Sequence, residues 1–166
     1  MARITFKNQP VNTSGSLPAT GSTAPDFRLT TAELNDVSLS DYAGKKKILN
    51  IVPSLDTGVC ATSARRFDRE VARLADTVCL TISADLPFAS SRFCKSEGVT
   101  NVVTLSELRD RSFGADYGCR MTDGPLAGLL SRAVVVLDEN NKVLHTEQVP
   151  EITQEPDYDG ALKAAG

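Results

Sequence analysis

Histidine occurs once in the 166 residues, at His145, and no two cysteines stand in a C-x-x-C pair. A lone His cannot supply a metal site by itself. The missing C-x-x-C removes the spacing used by zinc ribbons and dithiol oxidoreductases. His145, flanked by Leu144 and Thr146 in an alternating stretch, reads as structural. Long apolar runs are also missing. The longest, Ala133 to Leu137, falls far short of the roughly 18 residues of a membrane span. The opening MARITFKNQP sets Arg3, Lys7 and Pro10 where a signal peptide carries an apolar stretch, so a cytosolic protein is expected. Neither sign of charge dominates: 18 Lys plus Arg are interspersed with 21 Asp plus Glu, for a net charge of −3. That balance leaves no electrostatic footprint for nucleic acid.

What is present is an ordinary globular composition, 41% hydrophobic and 23% charged, which argues against disorder. The length predicts a single domain over residues 1–166. A chain of this size can bury a core without disulfide or metal staples.

Ile4-Thr5-Phe6 and Val11-Asn12-Thr13, with Asn8-Gln9-Pro10 between them, predict an N-terminal hairpin. Residues 13–25, rich in Ser, Thr, Gly and Pro, read as a loop. Apolar alternation at Phe27 and Leu29 leads into a strand, and Lys47 to Val52 is an apolar run that suits an interior strand. From about Cys60 the period changes. Ala64, Phe67, Val71 and Leu74 form one helical stripe, with Asp76 as its expected end. Val78 to Ile82 predicts another interior strand. A short helix from Pro87 to Gly98 follows, started by a proline and stopped by a glycine. Asn101 to Leu105 is a third strand, followed by a helical stretch around Glu107 to Phe113 and a glycine-rich loop over 114–131. Ala133 to Leu137 and Lys142 to Val149 bracket a polar turn at 138–141, and Asp157 to Ala165 predicts a last helix. The order β-α-β-α…β-β-α is that of an α/β thioredoxin-like fold with helices on both faces of the sheet.

The passage Pro53-Ser54-Leu55-Asp56-Thr57-Gly58-Val59-Cys60 closes an interior strand and opens a helix. A Cys at a helix N-terminus meets unpaired backbone N–H groups and the positive end of the dipole, which stabilise a thiolate. Thr57 can aim its hydroxyl at whatever the sulfur attacks. Pro53, having no N–H, can shield the sulfur from water without competing for it. Taken singly, Pro53 only ends a strand, Thr57 caps a helix and Cys60 is a small buried hydrophobe. Taken jointly, Pro-x-x-x-Thr-x-x-Cys at a strand-to-helix junction resembles the active-site signature of the peroxiredoxins. The resemblance extends from about Ile4 to Lys163. Its carriers are the N-terminal hairpin, G-S-T-A-P-D-F from Gly21, S-L-D-T-G-V-C from Ser54, Asp123-Gly124-Pro125-Leu126, Ser131 to Glu139, and Glu151-Ile152-Thr153. Together they are similar to the atypical two-cysteine, thioredoxin-dependent branch of that family, the bacterial thiol peroxidases.

The resemblance implies a thiol peroxidase that reduces hydrogen peroxide and alkyl hydroperoxides without a metal or prosthetic group. It implies Cys60 as the attacking thiolate, with Arg132, at the entry to the Ala133–Leu137 run, holding the thiolate and the peroxide oxygens. In Ser90-Ser91-Arg92-Phe93-Cys94, Cys94 matches the resolving residue that would form an intrachain disulfide with Cys60. Thioredoxin as reductant and a homodimer follow from the same resemblance. Cys79, among Val78, Leu80 and Ile82, reads as a buried strand residue. Cys119 matches no motif of the family and is either incidental or a surface thiol near a subunit contact. Arg92 and Lys95 read as solvated charges. The competing function is a non-catalytic thiol redox sensor on the same scaffold, which would need neither Thr57 with Arg132 nor a resolving partner. A disulfide oxidoreductase would carry a Cys where Thr57 stands.

Overall fold

The computed structural model describes residues 2–166. The chain opens with a hairpin of β1 (Arg3–Phe6) and β2 (Gln9–Asn12), an antiparallel pair with Ile4 opposite Val11. Its turn is Lys7-Asn8, both with positive φ (50° and 66°), the backbone that a two-residue primed turn requires. The turn therefore begins one residue earlier than the expected Asn8-Gln9-Pro10 and ends at Asn8. Pro10 belongs to β2, where a two-stranded ribbon leaves its missing N–H unneeded.

The remaining strands build one sheet. They are β3 (Leu29–Thr31), β4 (Asp36–Val37), β5 (Lys46–Ile51), β6 (Thr77–Ser83), β7 (Val102–Ser106), β8 (Ala133–Leu137) and β9 (Val143–Gln148), in the spatial order β4-β3-β7-β6-β5-β8-β9. β5, β6 and β7 run parallel, and β8 returns antiparallel beside β5 with Ala133 opposite Ile51. The helices are α1 (Gly58–Val71), α2 (Pro87–Glu97), α3 (Ser112–Asp116) and α4 (Tyr158–Ala165). Among the described residues no helix is long and apolar enough to cross a membrane.

Strand alternation divides the core in two. On one face Leu49, Ile51, Leu80, Ile82 and Val135 pack with Phe27, Phe113 and Tyr117. On the other, Ile48, Cys79, Val134 and Val136 pack with Phe67 and Val71 of α1 and with Ala161 and Ala165 of α4. The central strands are covered on both sides, which is why β5 and β8 read as nearly continuous apolar runs.

Two elements depart from the expected bounds. α1 stops at Val71 rather than Asp76: Arg73 and Leu74 close tight turns on Glu70 and Val71, and Asp76 adopts a positive φ of 49°. The helix expected at Glu107–Phe113 starts only at Ser112. The cause is Glu107 itself, which is buried and drawn inward to Arg120, whose Nη1 lies 2.7 Å from its Oε1. A charge that folds toward a distant partner leaves the local helical pattern unfulfilled.

Candidate functional site

β5 delivers the chain to the site. Val52 donates its N–H to the Ile82 carbonyl (3.0 Å), so the sheet still holds the backbone one residue beyond the strand. Pro53, buried, then breaks the ladder. The following loop is clamped by Asp85, just before α2. Its carboxylate accepts the Ser54 hydroxyl and the Leu55 N–H, each at 2.7 Å, and the Ser83 hydroxyl at 3.0 Å.

Thr57 is the N-cap of α1. Its hydroxyl accepts the Cys60 N–H at 3.3 Å and donates to the Ser54 carbonyl at 3.2 Å. In this state the hydroxyl is engaged in capping, so the plain reading of Thr57 holds whatever else the residue does. Cys60, in the first turn, is fully buried in a cluster of Val52, Leu55 and Ala64 against which Phe93 of α2 packs. Behind it the Ser63 hydroxyl donates to the Cys60 carbonyl at 2.9 Å, and Asn50 Nδ2 donates to Ser63 Oγ at 3.4 Å. A cleft of about 640 Å³ opens on the other side of Leu55 and Phe93, lined also by Phe88, Asp85 and Arg92.

Arg132 immediately precedes β8. Because Ala133 pairs with Ile51, the β8 register brings Arg132 to the end of β5 from which the Cys60 loop departs. Its side chain is buried, with the residue 2% exposed, and is not the surface arginine that a strand edge would ordinarily carry. Nε donates to the Ile152 carbonyl at 2.7 Å, whereas Nη1 is buried with no hydrogen-bond partner. No carboxylate pairs with it among the described residues.

The expected resolving residue is not among the side chains packed with Cys60. Cys94 is half-buried on α2, joined to the cluster that contains Phe67 and Cys79. Burial pushes its thiol pKa up, the Asp68 charge adds to the rise, and a hydrogen bond with Thr104 opposes it. All four cysteines are free. Cys79 is fully buried in β6 and pushed up to about 12 by burial, in keeping with a strand residue. Cys119 corrects the surface-thiol alternative. It is fully buried beside Phe113 and Tyr117, and burial, then the Glu107 charge, pushes it up to about 12. Arg92 and Lys95 are exposed, as read.

Asp85 and Phe93 are site residues that sequence reasoning did not reach. An Asp shortly before a helix-starting Pro reads as part of a cap. Nothing local says that its carboxylate faces a loop 30 positions away.

The Redoxin family profile matches residues 19–162. A thiol peroxidase of Mycobacterium bovis is 53% identical over 166 residues, covering 100% of this chain and 99% of the relative. The thiol peroxidase of Mycobacterium tuberculosis gives the same figures. Among solved structures, a peroxiredoxin-like protein from Aquifex aeolicus superposes with a TM-score of 0.93 at 34% identity, over 99% of this chain and 96% of that one. A thiol peroxidase from Chromobacterium violaceum, at 24% identity and TM-score 0.89 over 95% and 91% of the two chains, shares the fold. With a cysteine in the first turn of a capped helix and relatives matched along its whole length, the chain belongs to the thiol peroxidases of the Redoxin family.

Proposed function

We propose that this peroxidase reduces hydrogen peroxide and alkyl hydroperoxides through Cys60, and that an intrachain disulfide with Cys94 is then reduced by thioredoxin. The observation that carries this reading is the buried Arg132 guanidinium with an unpartnered Nη1 beside the strand that leads to Cys60. A buried cation without a carboxylate is costly unless an anion shares its site. The anions that this chemistry supplies are the Cys60 thiolate and the oxygen on which charge develops as the O–O bond opens.

The thiolate attacks the terminal peroxide oxygen, forming an S–O bond while the O–O bond breaks. The departing oxygen takes a proton and leaves as water or alcohol, and Cys60 becomes a sulfenic acid. Arg132 and the N–H groups of the first turn stabilise the developing charge. Pro53 keeps a competing donor out of the site, and Thr57 orients the first turn. Cys94 then attacks the sulfenic sulfur, expelling water and closing the Cys60–Cys94 disulfide. Because Cys60 and Cys94 belong to different clusters and the Cys94 thiol is engaged with Thr104, in the proposed mechanism α2 unwinds locally for the sulfurs to meet. An external dithiol restores both thiols by exchange. The cytosol, which keeps thiols reduced, is the compartment assigned, and a homodimer is the assembly that sedimentation should detect.

Consumption of NADPH in the presence of peroxide, thioredoxin and thioredoxin reductase tests the function. The protein should turn over continuously and Cys60→Ser should not. Reduction of one equivalent of peroxide without turnover would instead mark a redox sensor.

A further inference from the structure

The N-terminal hairpin and the Glu151-Ile152-Thr153 segment lie outside the steps described above, yet they meet at the back of Arg132. The Ile152 carbonyl takes the Arg132 Nε–H at 2.7 Å. The backbone of Ile152 is itself held, because its N–H donates to the Thr5 carbonyl (2.9 Å) and the Thr5 N–H donates to the Pro150 carbonyl (2.8 Å). Between these two bonds sits the Glu151 carboxylate. Oε1 accepts the Lys7 N–H at 2.9 Å, the Thr153 N–H at 3.2 Å and the Thr153 hydroxyl at 2.8 Å. Oε2 accepts the Thr5 hydroxyl at 2.5 Å and the Asn8 N–H at 3.1 Å. One side chain thus fastens the strained Lys7-Asn8 turn to the segment that anchors the guanidinium.

We propose that Glu151 is a positioning residue for peroxide reduction: by locking the hairpin onto Ile152 it sets the direction in which Arg132 presents its free donors. The proposal rests on the reading of Arg132 as the group that meets the thiolate and peroxide. A guanidinium is planar, with its N–H groups in a fixed fork, so fixing Nε fixes where Nη1 and Nη2 point. A displacement of an ångström at such a group costs about 100-fold in rate. The hydrogen bonds on both carboxylate oxygens make the ionised Glu specific. Gln keeps one acceptor oxygen and turns an NH₂ toward groups that are themselves donors.

The test compares kcat/KM for hydrogen peroxide in the parent, Glu151→Gln, Arg132→Met and the double variant, with thermal unfolding as a check of the fold. Arg132→Met should lose about 100-fold or more. Glu151→Gln should lose about tenfold, while the rate of Cys60–Cys94 disulfide formation after oxidation stays at the parent value. In the Arg132→Met background, Glu151→Gln should change kcat/KM by less than about twofold, since nothing remains to be positioned. Thr5→Val, which removes one hydroxyl donor and keeps the side-chain shape, should show a smaller loss with the same dependence on Arg132. It replaces Glu151→Gln if that variant does not fold. An undiminished kcat/KM in Glu151→Gln, or a loss that persists in the Arg132→Met background, overturns the proposal while leaving Arg132 in its role. An undiminished kcat/KM in Arg132→Met overturns the role of Arg132 and the proposal together.

Discussion

Phe93 packs against the cluster that contains Cys60, while Cys94, the next residue of α2, joins only the cluster of Phe67 and Cys79, its thiol hydrogen-bonded to Thr104. Successive residues of a helix point about 100° apart, so one residue can reach the Cys60 cluster while its neighbour does not. With both thiols free, the two proposed redox partners belong to different side-chain clusters. α2 is also short, and only Pro87 and Ser90 of its residues are fully buried, with Phe93 and Cys94 partly so, so modest packing opposes its opening.

One equivalent of peroxide should give an intrachain Cys60–Cys94 disulfide, leaving Cys79 and Cys119 as thiols. Closing the loop between these positions restricts the unfolded chain by about 4 kcal/mol, so the bond need not strain the fold to persist. Cys79 lies in the ladder of an interior strand and Cys119 in the opposite core, and both are fully buried. Peptide mapping without reductant reads the linkage. Cys94→Ser should stop at the sulfenic acid, whereas Cys79→Ser should keep near-parent turnover.

Thr57→Val should lose activity and stability together. Its hydroxyl caps α1 through the Cys60 N–H, and loss of such a cap costs about 1 kcal/mol. A drop in kcat/KM of about tenfold or more would exceed what this loss of stability does to a folded enzyme. A stability loss with unchanged kcat/KM would leave Thr57 as a cap alone.

Asp85→Asn should loosen the loop that carries the site. The amide cannot accept the Ser54 hydroxyl, the Leu55 N–H and the Ser83 hydroxyl as the carboxylate does. The expected cost is about 1–3 kcal/mol of stability. The oxidation rate of Cys60 should fall with it, and hydrogen exchange at Leu55 and Asp56 should quicken. Unchanged exchange at those amides would show that the loop holds without the clamp.

Acid should weaken the fold through its carboxylates. Hydrogen bonds from Thr5, Thr153, Lys7 and Asn8, that of Thr5 foremost, hold Glu151 down at about 2, against an ordinary value of 4.5. Asp36, beside Arg28, and Asp123, which accepts the Asn12 N–H and side-chain amide, also lie below their ordinary range. A group depressed in the folded state stabilises it above the unfolded pKa, and that contribution fades as pH falls toward the folded value. The stability gap between the parent and Glu151→Gln should therefore be full at pH 6 and shrink between about 4.5 and 2. Denaturant melts across that range measure it, and a constant gap would contradict the assignment.

The sequence alone determined the local architecture. Apolar runs specified β5, β6 and β8, a proline and a glycine bounded α2, and the Pro53-to-Cys60 passage marked a strand-to-helix junction with a cysteine in the first helical turn. These features depend on neighbours within a few residues, where period, capping and chain stiffness decide. Tertiary structure decided the rest. Cys119 reads as a loop thiol until the loop folds over Phe113 and Tyr117, and Glu107 reads as helical until Arg120 captures it across the core face. Arg132 becomes a buried cation with a free donor only when β8 pairs with β5 and Ile152 takes Nε. Such outcomes turn on strand register and on hydrogen bonds between residues far apart in the chain. A slip of one residue in register would send Arg132 to the other face of the sheet, and no local pattern carries that information.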